Sequence, residues 1–514
     1  MDSYLVDLGA ALLTLNSVTI IVTMLAGVVI GIILGALPGF GSSQALALLF
    51  PVTFAMSVDQ AVLFLIAVYS AVEYGSSIPA ILIRTPGTGA SAVTVLDGYA
   101  MARQGLSHRA LRISLYSGVL GGTVSTIIFI VAGTSLGIVA LAFGPGELFA
   151  VGVFGLSIVG GFFGKDAARG FLAVGIGLLL ATVGSSGFGG LRFTFNQGLL
   201  LDGIPLVVVI IGFLAGPEAF RLLVDNRRTA AGQAVVNRAE QKERNRVTRA
   251  DVKLLIPTWI RGSLLGTLAG AIPGAGGSVG ALLAYSEEKR WSKRPEKFGT
   301  GIPEGIAAPE VANNAVVAGT LVPTLSLGIP GSGGAAILLG VLISKGVVPG
   351  PILFQQQGDF VLTVFIGLLM INLFLLIVGL LGTSTFSLVS RVPLRILGPF
   401  VLLLIVAGAY AFANNSVHII MVLVLAATAY LLEKINVPVV PIVLAFIMGP
   451  IIESNLSRAL TITRGDFFVI VTGPITATIL ILALATAVYS FVSNMRQNRV
   501  SNMRQNRREA QATD

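Results

Sequence analysis

Cysteine is absent from this 514-residue chain, and histidine occurs only twice, as His108 and His418. The absence of cysteine excludes disulfides, thiolate chemistry and cysteine-ligated metals, and two histidines argue against a histidine-based zinc site. Charge is also scarce, because 11% of the residues are charged, whereas soluble proteins have about 25%. With 54% hydrophobic residues and a mean hydropathy of +0.90, the composition predicts an all-α polytopic membrane protein of about 10–12 spans.

One stretch of the sequence occurs twice. Residues 27–43 carry three glycines at four-residue spacing and then a Pro-Gly-x-Gly segment, and residues 262–278 repeat this pattern 235 positions later (262 − 27). A second motif follows each copy, at 75–89 and at 319–333, with an offset of 244 (330 − 86). The matching order of the motifs indicates an internal duplication of the chain.

Proline and glycine interrupt each copy within an apolar run. Proline removes a backbone donor and glycine permits φ > 0, so a helix is expected to end there. In lipid such a break survives only where protein or a watery cavity satisfies the backbone, and paired breaks in two halves indicate a transporter binding site. The alternative is close helix packing, which suits Gly27, Gly31 and Gly35 but not the Pro-Gly-x-Gly segment that follows.

Charge divides the chain into four segments. These are a first transmembrane repeat (1–220), a basic cytoplasmic linker (221–253), a second repeat (254–492) and a basic cytoplasmic tail (493–514). The linker holds nine basic and four acidic residues, whereas the N-terminus is acidic, so the two leading helices are expected to enter from opposite faces. That arrangement predicts inverted-topology repeats with re-entrant hairpins, although the basic stretch 287–297 would also favour the inside. The net charge of +9 then reflects topology and not binding of nucleic acid.

Two groups of motifs resemble one known family. The runs 74–88 (YGSSIPAILIRTPGT) and 97–105 (DGYAMARQG), with 304–315 (EGIAAPEVANNA) and 328–332 (GIPGS), are similar to the tripartite tricarboxylate transporter family. More narrowly, they resemble its large membrane subunit, of the TctA type. The resemblance implies carboxylate uptake across the bacterial inner membrane, with a small membrane subunit (TctB type) and a periplasmic solute-binding protein (TctC type). It further implies an ion gradient, commonly of sodium, and the chain has no Gly-x-x-x-x-Gly-Lys-[Ser/Thr] loop for ATP.

Clustered backbone N–H groups and helix N-termini can replace the hydration shell of a carboxylate. The predicted substrate contacts are Arg84, Thr85, Pro86, Gly87, Thr88, Gly89, Asn313, Asn314, Pro330, Gly331, Ser332 and Gly333. The two Pro-Gly loops could alternatively be turns with no ligand. The two asparagines could instead bind Na⁺ or form interhelical hydrogen bonds.

Carbonyl and hydroxyl oxygens at the other two breaks are suited to a hard cation. The predicted Na⁺ contacts are Gly39, Gly41, Ser42, Ser43, Gly274, Gly276 and Ser278. No catalytic residue and no other cofactor is predicted.

Three charged residues near the motifs remain ambiguous. Arg84 stands where members of the family commonly have asparagine, and it could bind a substrate carboxylate, pair with Glu73 or reach a lipid headgroup. Glu73 and Glu310 are candidate intramembrane acids, which are functional by default, although Glu310 could instead cap a helix at the surface.

Other functions also fit parts of the sequence. A stand-alone ion-coupled carboxylate carrier is the main alternative, and a passive channel is a further one. A membrane-embedded enzyme is less well supported, since the sequence has no His-Glu-x-x-His motif and no aspartate-rich pair.

Overall fold

The computed structural model describes residues 2–37, 39–140, 143–162, 167–224, 246–389, 394–412 and 414–492. Most of the predicted linker and the whole predicted tail lie outside these ranges. The described chain is almost wholly helical, with one two-stranded hairpin. The predicted all-α membrane fold is therefore confirmed.

The chain forms two compact units. The first comprises residues 1–142 and 206–430, and the second comprises 143–205 and 431–514. This division is spatial and combines parts of both predicted repeats in each unit, so the repeat boundaries along the chain stay a prediction.

The first unit contains most of the helices. They are α1 (Asp2–Leu15), α2 (Val18–Gly35), α3 (Ser42–Leu49), α4 (Val58–Gly75), α5 (Ser77–Ile83), α6 (Ser91–Met101) and α7 (Ser107–Ala140). Helices α8 and α9 belong to the second unit, and the first unit continues with α10 (Leu206–Ile210), α11 (Gly216–Val224), α12 (Arg249–Ala271), α13 (Gly276–Trp291), α14 (Pro303–Leu327), α15 (Gly333–Ser344), α16 (Pro351–Gln356), α17 (Gly358–Val389), α18 (Leu394–Ala411) and all but the last turn of α19 (Ser416–Lys434). Short 3₁₀ turns lie at Phe50–Ala55 and Pro295–Lys297, and π-helical turns lie at Ala102–Leu106 and Ile211–Ala215.

Among the described residues, the second unit has five helices and a hairpin. Its elements are α8 (Pro145–Phe162), α9 (Ala167–Ala181), β1 (Gly184–Ser185), β2 (Leu191–Arg192), a 3₁₀ turn (Gly198–Leu200), α20 (Val440–Ile462), α21 (Phe467–Thr472) and α22 (Pro474–Val492). Helix α20 packs on both α8 and α9. The hairpin is tied to α20, because Arg192 forms an ion pair with Glu453 at 2.8 Å.

Within the first unit, the duplicated segments pack in the same way. A Cβ atom added to Gly35 of α2 would lie 3.0 Å from the Gly75 Cα atom of α4. The equivalent residues of the second copy repeat this contact, since a Cβ atom on Gly270 of α12 would lie 3.0 Å from the Gly319 Cα atom of α14. Each glycine stripe therefore brings two helix backbones into direct contact, as small residues do in membrane helices.

Eight helical segments among the described residues are long and apolar enough to cross a membrane. Six shorter apolar helices accompany them, including Ser42–Ala55 and Gly333–Ser344, which adjoin the duplicated breaks. The predicted breaks are present, since α2 ends at Gly35 and α12 ends at Ala271 before new helices begin. Whether the two copies are inverted with respect to the membrane stays a prediction.

Candidate functional site

The second motif of each copy ends a buried helix in the same backbone conformation. Helix α5 ends at Arg84 with φ = 59°, and α14 ends at Gly328 with φ = 70°. The two residues are equivalent in the duplication (328 − 84 = 244). Both loops therefore leave the preceding helix through a left-handed residue, which terminates a helix.

The first loop, residues 84–90, is held by hydroxyl groups. The Thr88 hydroxyl lies 3.2 Å from the hydroxyls of both Ser76 and Ser91. The Ser91 hydroxyl also accepts a hydrogen bond from the Thr88 backbone N–H at 2.9 Å. The predicted contact Thr85 uses its hydroxyl locally, on the Ile83 carbonyl at 3.3 Å. Residues 85–88 are only partly buried, whereas Arg84 and Gly89 are exposed.

The second loop, residues 328–332, is buried throughout. Its Ser332 side chain caps α15 by accepting from the Ala335 backbone N–H at 3.1 Å, and lies 2.8 Å from the Tyr69 hydroxyl of α4. The Gly331 carbonyl accepts from the Gly274 backbone N–H at 3.1 Å. This loop thus joins the first break of its own copy to a helix of the other copy.

The two remaining breaks have matching geometry. Gly39 and Gly274 are equivalent in the duplication and both have positive φ, 79° and 83°. In the second copy Gly276 also has φ = 60° and opens α13. A side chain at any of these positions would be strained, which explains why each break has glycine.

The breaks of the two copies meet each other. A Cβ atom on Gly89 would collide with the Ser278 side chain, so the first copy's loop touches α13 of the second. The first break of the first copy has contacts of its own. Ser42, the first residue of α3, faces the Glu73 carboxyl.

The first and second breaks of this copy also meet, since Gly41 approaches the Gly87 carbonyl. Ser43 is half-buried on the first turn of α3. The structure therefore brings together the predicted substrate and Na⁺ segments.

Helix α14 carries several buried polar residues, and Glu310, Asn313 and Asn314 lie within five positions of one another. Glu310 is 1% exposed, and its carboxylate accepts hydrogen bonds from the hydroxyls of Thr94 and Ser114. It lies in the middle of α14, so the suggestion that it caps a helix at the surface is wrong. Asn314 donates to the Glu310 carbonyl at 3.3 Å, whereas the Asn313 amide has no hydrogen-bonding partner in the described chain.

Arg84 does not pair with Glu73 in the structure. Its guanidinium lies over the Tyr99 ring, 5.9 Å from the centroid, and the residue is exposed. Glu73 is 6% exposed and takes part in no ion pair among the described residues. The suggested Arg84–Glu73 pair is therefore wrong, because the Arg84 side chain lies against Tyr99 instead.

Two residues with central positions were missed in the sequence. Tyr69 is the equivalent of Asn313 (313 − 69 = 244), so the repeat offset itself could have identified it. Asp97 is fully buried and accepts from the backbone N–H groups of Gly299, Gly301 and Ile302, and from the Tyr285 hydroxyl. Asp97 belongs to the motif 97–105, but nothing in the sequence indicates that its partners lie about 200 residues away.

The fold and the paired breaks define a polytopic membrane protein with a duplicated, interrupted helical core. Residues 21–444 match the model of the tripartite tricarboxylate transporter TctA family, and the chain belongs to this family. It is 35% identical over 481 residues to an Agrobacterium vitis protein described as an uncharacterized 52.8 kDa protein in the TAR-I ttuC′ 3′ region, covering 93% of this chain and 94% of that one.

A second Agrobacterium vitis protein, described as an uncharacterized protein in the TAR-II ttuC′ 3′ region, is 34% identical over 234 residues. The alignment covers 46% of this chain and 97% of that protein. No solved structure gave a significant match. The family membership confirms the resemblance drawn from the motifs and makes the chain a component of a tripartite transport system.

Proposed function

We propose that this chain is the large transmembrane subunit of a binding-protein-dependent uptake system for tricarboxylates or dicarboxylates, driven by an ion gradient. Its partners would be a small membrane subunit of the TctB type and a periplasmic binding protein of the TctC type, in the bacterial inner membrane. The TctA family supports transport and gives no support to catalysis. The coupling ion is proposed to be Na⁺.

One observation carries this proposal: the four breaks of the two copies meet in the first unit. A Cβ atom on Gly87 would lie 3.3 Å from the Phe40 carbonyl oxygen, so the first and second breaks touch. Gly89 touches Ser278 of the third break, and the Gly331 carbonyl of the fourth break accepts from the Gly274 backbone N–H. Ser332 of the fourth break also contacts Tyr69 of α4. Backbone amides and hydroxyls freed from regular helix are therefore concentrated among buried apolar helices. Such groups can bind an anion that has lost its water.

The substrate contacts are proposed to be residues 84–89 and 330–333, with Asn313 and Asn314. The two loops differ in exposure, because residues 84–89 reach the protein surface while 330–333 are buried. An anion that enters at the accessible loop and leaves past the buried one requires a rearrangement between them. The asymmetry supports alternating access, in which the two loops are exposed in turn.

Reconstituted uptake tests the proposal. Proteoliposomes containing the complete membrane complex receive the cognate binding protein and a labelled carboxylate under an imposed Na⁺ or H⁺ gradient. Thr88→Ala and Ser332→Ala are expected to lower uptake at least tenfold without lowering expression. Thr23→Ala removes a hydroxyl that donates to the Thr19 carbonyl on α2 and has no other partner in the described chain, so it should leave uptake unchanged.

Ser332 also caps α15, so Ser332→Gly is a second control, since glycine is nearly as good a cap as serine. Loss of uptake in both Ser332 variants assigns the hydroxyl to substrate, whereas normal uptake in Ser332→Gly and Thr88→Ala would remove the assignment. Full uptake without the binding protein would favour a stand-alone carrier. Uptake that persists without any gradient would favour a channel.

A further inference from the structure

Glu73 is a buried carboxylate without a compensating charge. It lies on α4, is 6% exposed, and is not paired with a basic residue in the described chain. The basic residue nearest in sequence, Arg84, contacts Tyr99 instead. A buried unpaired carboxylate is too costly to remain charged by itself, so it must bind either a proton or a cation.

Asn313, which faces Glu73 from the other copy, also lacks hydrogen-bonding partners. Asn313 of α14 is 1% exposed, and neither of its amide atoms has a hydrogen-bonding partner among the described residues. Asn313 and Ser42 are the side chains that face the Glu73 carboxyl, although neither forms a hydrogen bond of normal geometry with it. Leaving a buried amide without a hydrogen-bonding partner destabilises the protein, and a bound ligand would remove that penalty.

The neighbouring acid provides a comparison. Glu310 is buried on the same helix as Asn313, but the hydroxyls of Thr94 and Ser114 donate to its two carboxylate oxygens. Ser77 extends this network, since its hydroxyl lies 2.7 Å from that of Ser114. The described part of the protein therefore supplies hydrogen-bond donors to both carboxylate oxygens of Glu310, but not to the carboxylate of Glu73.

We propose that the Glu73 carboxylate, the Ser42 hydroxyl and the Asn313 amide oxygen bind the coupling cation, a single Na⁺. This rests on the proposed function for the role of the ion but not for its binding. All three groups offer hard oxygen atoms, which Na⁺ prefers, and the single negative charge matches a monovalent cation. Asn313 and Glu73 belong to different copies, so the ion would join them. Asn313 would bind the ion through its amide oxygen, which leaves its amide N–H for the substrate contact proposed above.

The position of Glu73 explains why the cation would have to accompany the substrate. Tyr69 lies one helical turn before Glu73 on α4, and its hydroxyl is hydrogen-bonded to Ser332 of the buried second loop, residues 328–332. A charged Glu73 would repel a carboxylate arriving at this loop. Na⁺ on Glu73 removes that repulsion, so substrate and cation would each strengthen the binding of the other.

Thermal unfolding of the purified full-length protein in detergent tests the site without transport. At constant ionic strength, NaCl is titrated against choline chloride. The wild-type protein should be stabilised by Na⁺ in a saturable manner, and Glu73→Gln should lose this response. Asn313→Ala should raise the half-saturating Na⁺ concentration at least tenfold, and Thr23→Ala, which removes a hydroxyl bonded to the Thr19 carbonyl, should keep the wild-type value.

Because Glu73→Gln could fold poorly, Glu73→Asp is a second variant, which keeps the charge but shortens the side chain. It is expected to bind Na⁺ at least tenfold more weakly. A wild-type protein that shows no Na⁺-specific stabilisation, or a Glu73→Gln variant that responds like the wild type, overturns the proposal. Stabilisation by low pH instead of Na⁺, lost in Glu73→Gln, would assign a proton to Glu73 and also overturn it.

Reconstituted uptake shows whether the cation site at Glu73 or the proposed transport function has been disproved. Gradient-driven carboxylate uptake in a protein whose stability is indifferent to Na⁺ would remove only the cation site. Na⁺-dependent stability that depends on Glu73, in a complex that transports no carboxylate, would keep the cation site and remove the proposed transport function.

Discussion

Arg84 and Gly328 occupy equivalent positions in the two copies, and both have a left-handed backbone, with φ of 59° and 70°. Glycine adopts this conformation freely, whereas a residue with a Cβ atom pays about 1–2 kcal/mol. Asparagine tolerates the conformation better than most residues. If members of the family have asparagine at this position, as the resemblance implies, the left-handed backbone would explain that preference.

Arg84→Asn is accordingly expected to keep or raise the thermal unfolding temperature of the detergent-solubilised protein. Arg84→Val should lower it, because a β-branched residue is strongly disfavoured at positive φ. If the exposed guanidinium binds substrate, Arg84→Asn also raises the KM of uptake about tenfold or more while stability is maintained. An unchanged KM would show that Arg84 is tolerated here and does not contact the carboxylate.

The duplication explains how much of the site could be predicted. Proline and glycine dictate local backbone geometry, so the breaks at Gly39 and Gly274 were evident from the sequence alone. The contact of Gly89 with Ser278 was not, because it joins segments about 190 residues apart that no local rule connects. The partners of Glu310 were hidden for the same reason, since serine and threonine are common throughout membrane helices.

Asp97 should be essential for the packing of α6 against the start of α14. Its carboxylate accepts hydrogen bonds from three backbone N–H groups and from Tyr285, so Asp97→Asn replaces one acceptor oxygen by a donor that faces other donors. Hydrogen bonds to charged groups contribute about 1.5–3 kcal/mol each. We expect a loss of several degrees in the unfolding temperature, with reduced yield of folded protein.

Tyr285→Phe is the matched control for Asp97, because it removes one of these donors and leaves the backbone donors in place. Its unfolding temperature should fall less than that of Asp97→Asn. Equal effects of the two substitutions would contradict the view that the backbone of residues 299–302 is the main partner.

Gly266→Ala should disrupt the contact between α12 and α14. The added methyl group would collide with the Ala312 carbonyl oxygen, which belongs to rigid helix backbone and cannot move aside alone. Overpacking of this kind costs about 1–3 kcal/mol. The measurement is the unfolding temperature in detergent, with Gly175→Ala in α9 as control, because nothing lies within 4 Å of its added Cβ atom.

The ion pair between Arg109 and Asp251 should make stability depend on pH at the start of α12. Their atoms approach to 2.6 Å, and the Asp251 carboxylate also accepts from the Thr248 backbone N–H at 2.9 Å. Burial raises the pKa of the Asp251 carboxyl, but the hydrogen bonds from Thr248 and Arg109 outweigh it and leave the pKa below its ordinary value. A carboxyl whose pKa is lowered by folding stabilises the protein above its unfolded pKa of about 3.9 and loses this contribution as pH falls further.

Asp251→Asn should therefore unfold at a lower temperature than the wild type at pH 7, and the difference should stay constant down to about pH 5. Below about pH 4 the difference should shrink, because the wild-type carboxyl becomes protonated and loses its charge. Arg109→Gln should show the same pH dependence with a smaller amplitude, since the Thr248 contacts remain. A difference that stays constant through the acidic range would mean that shape, and not charge, accounts for the contribution of Asp251.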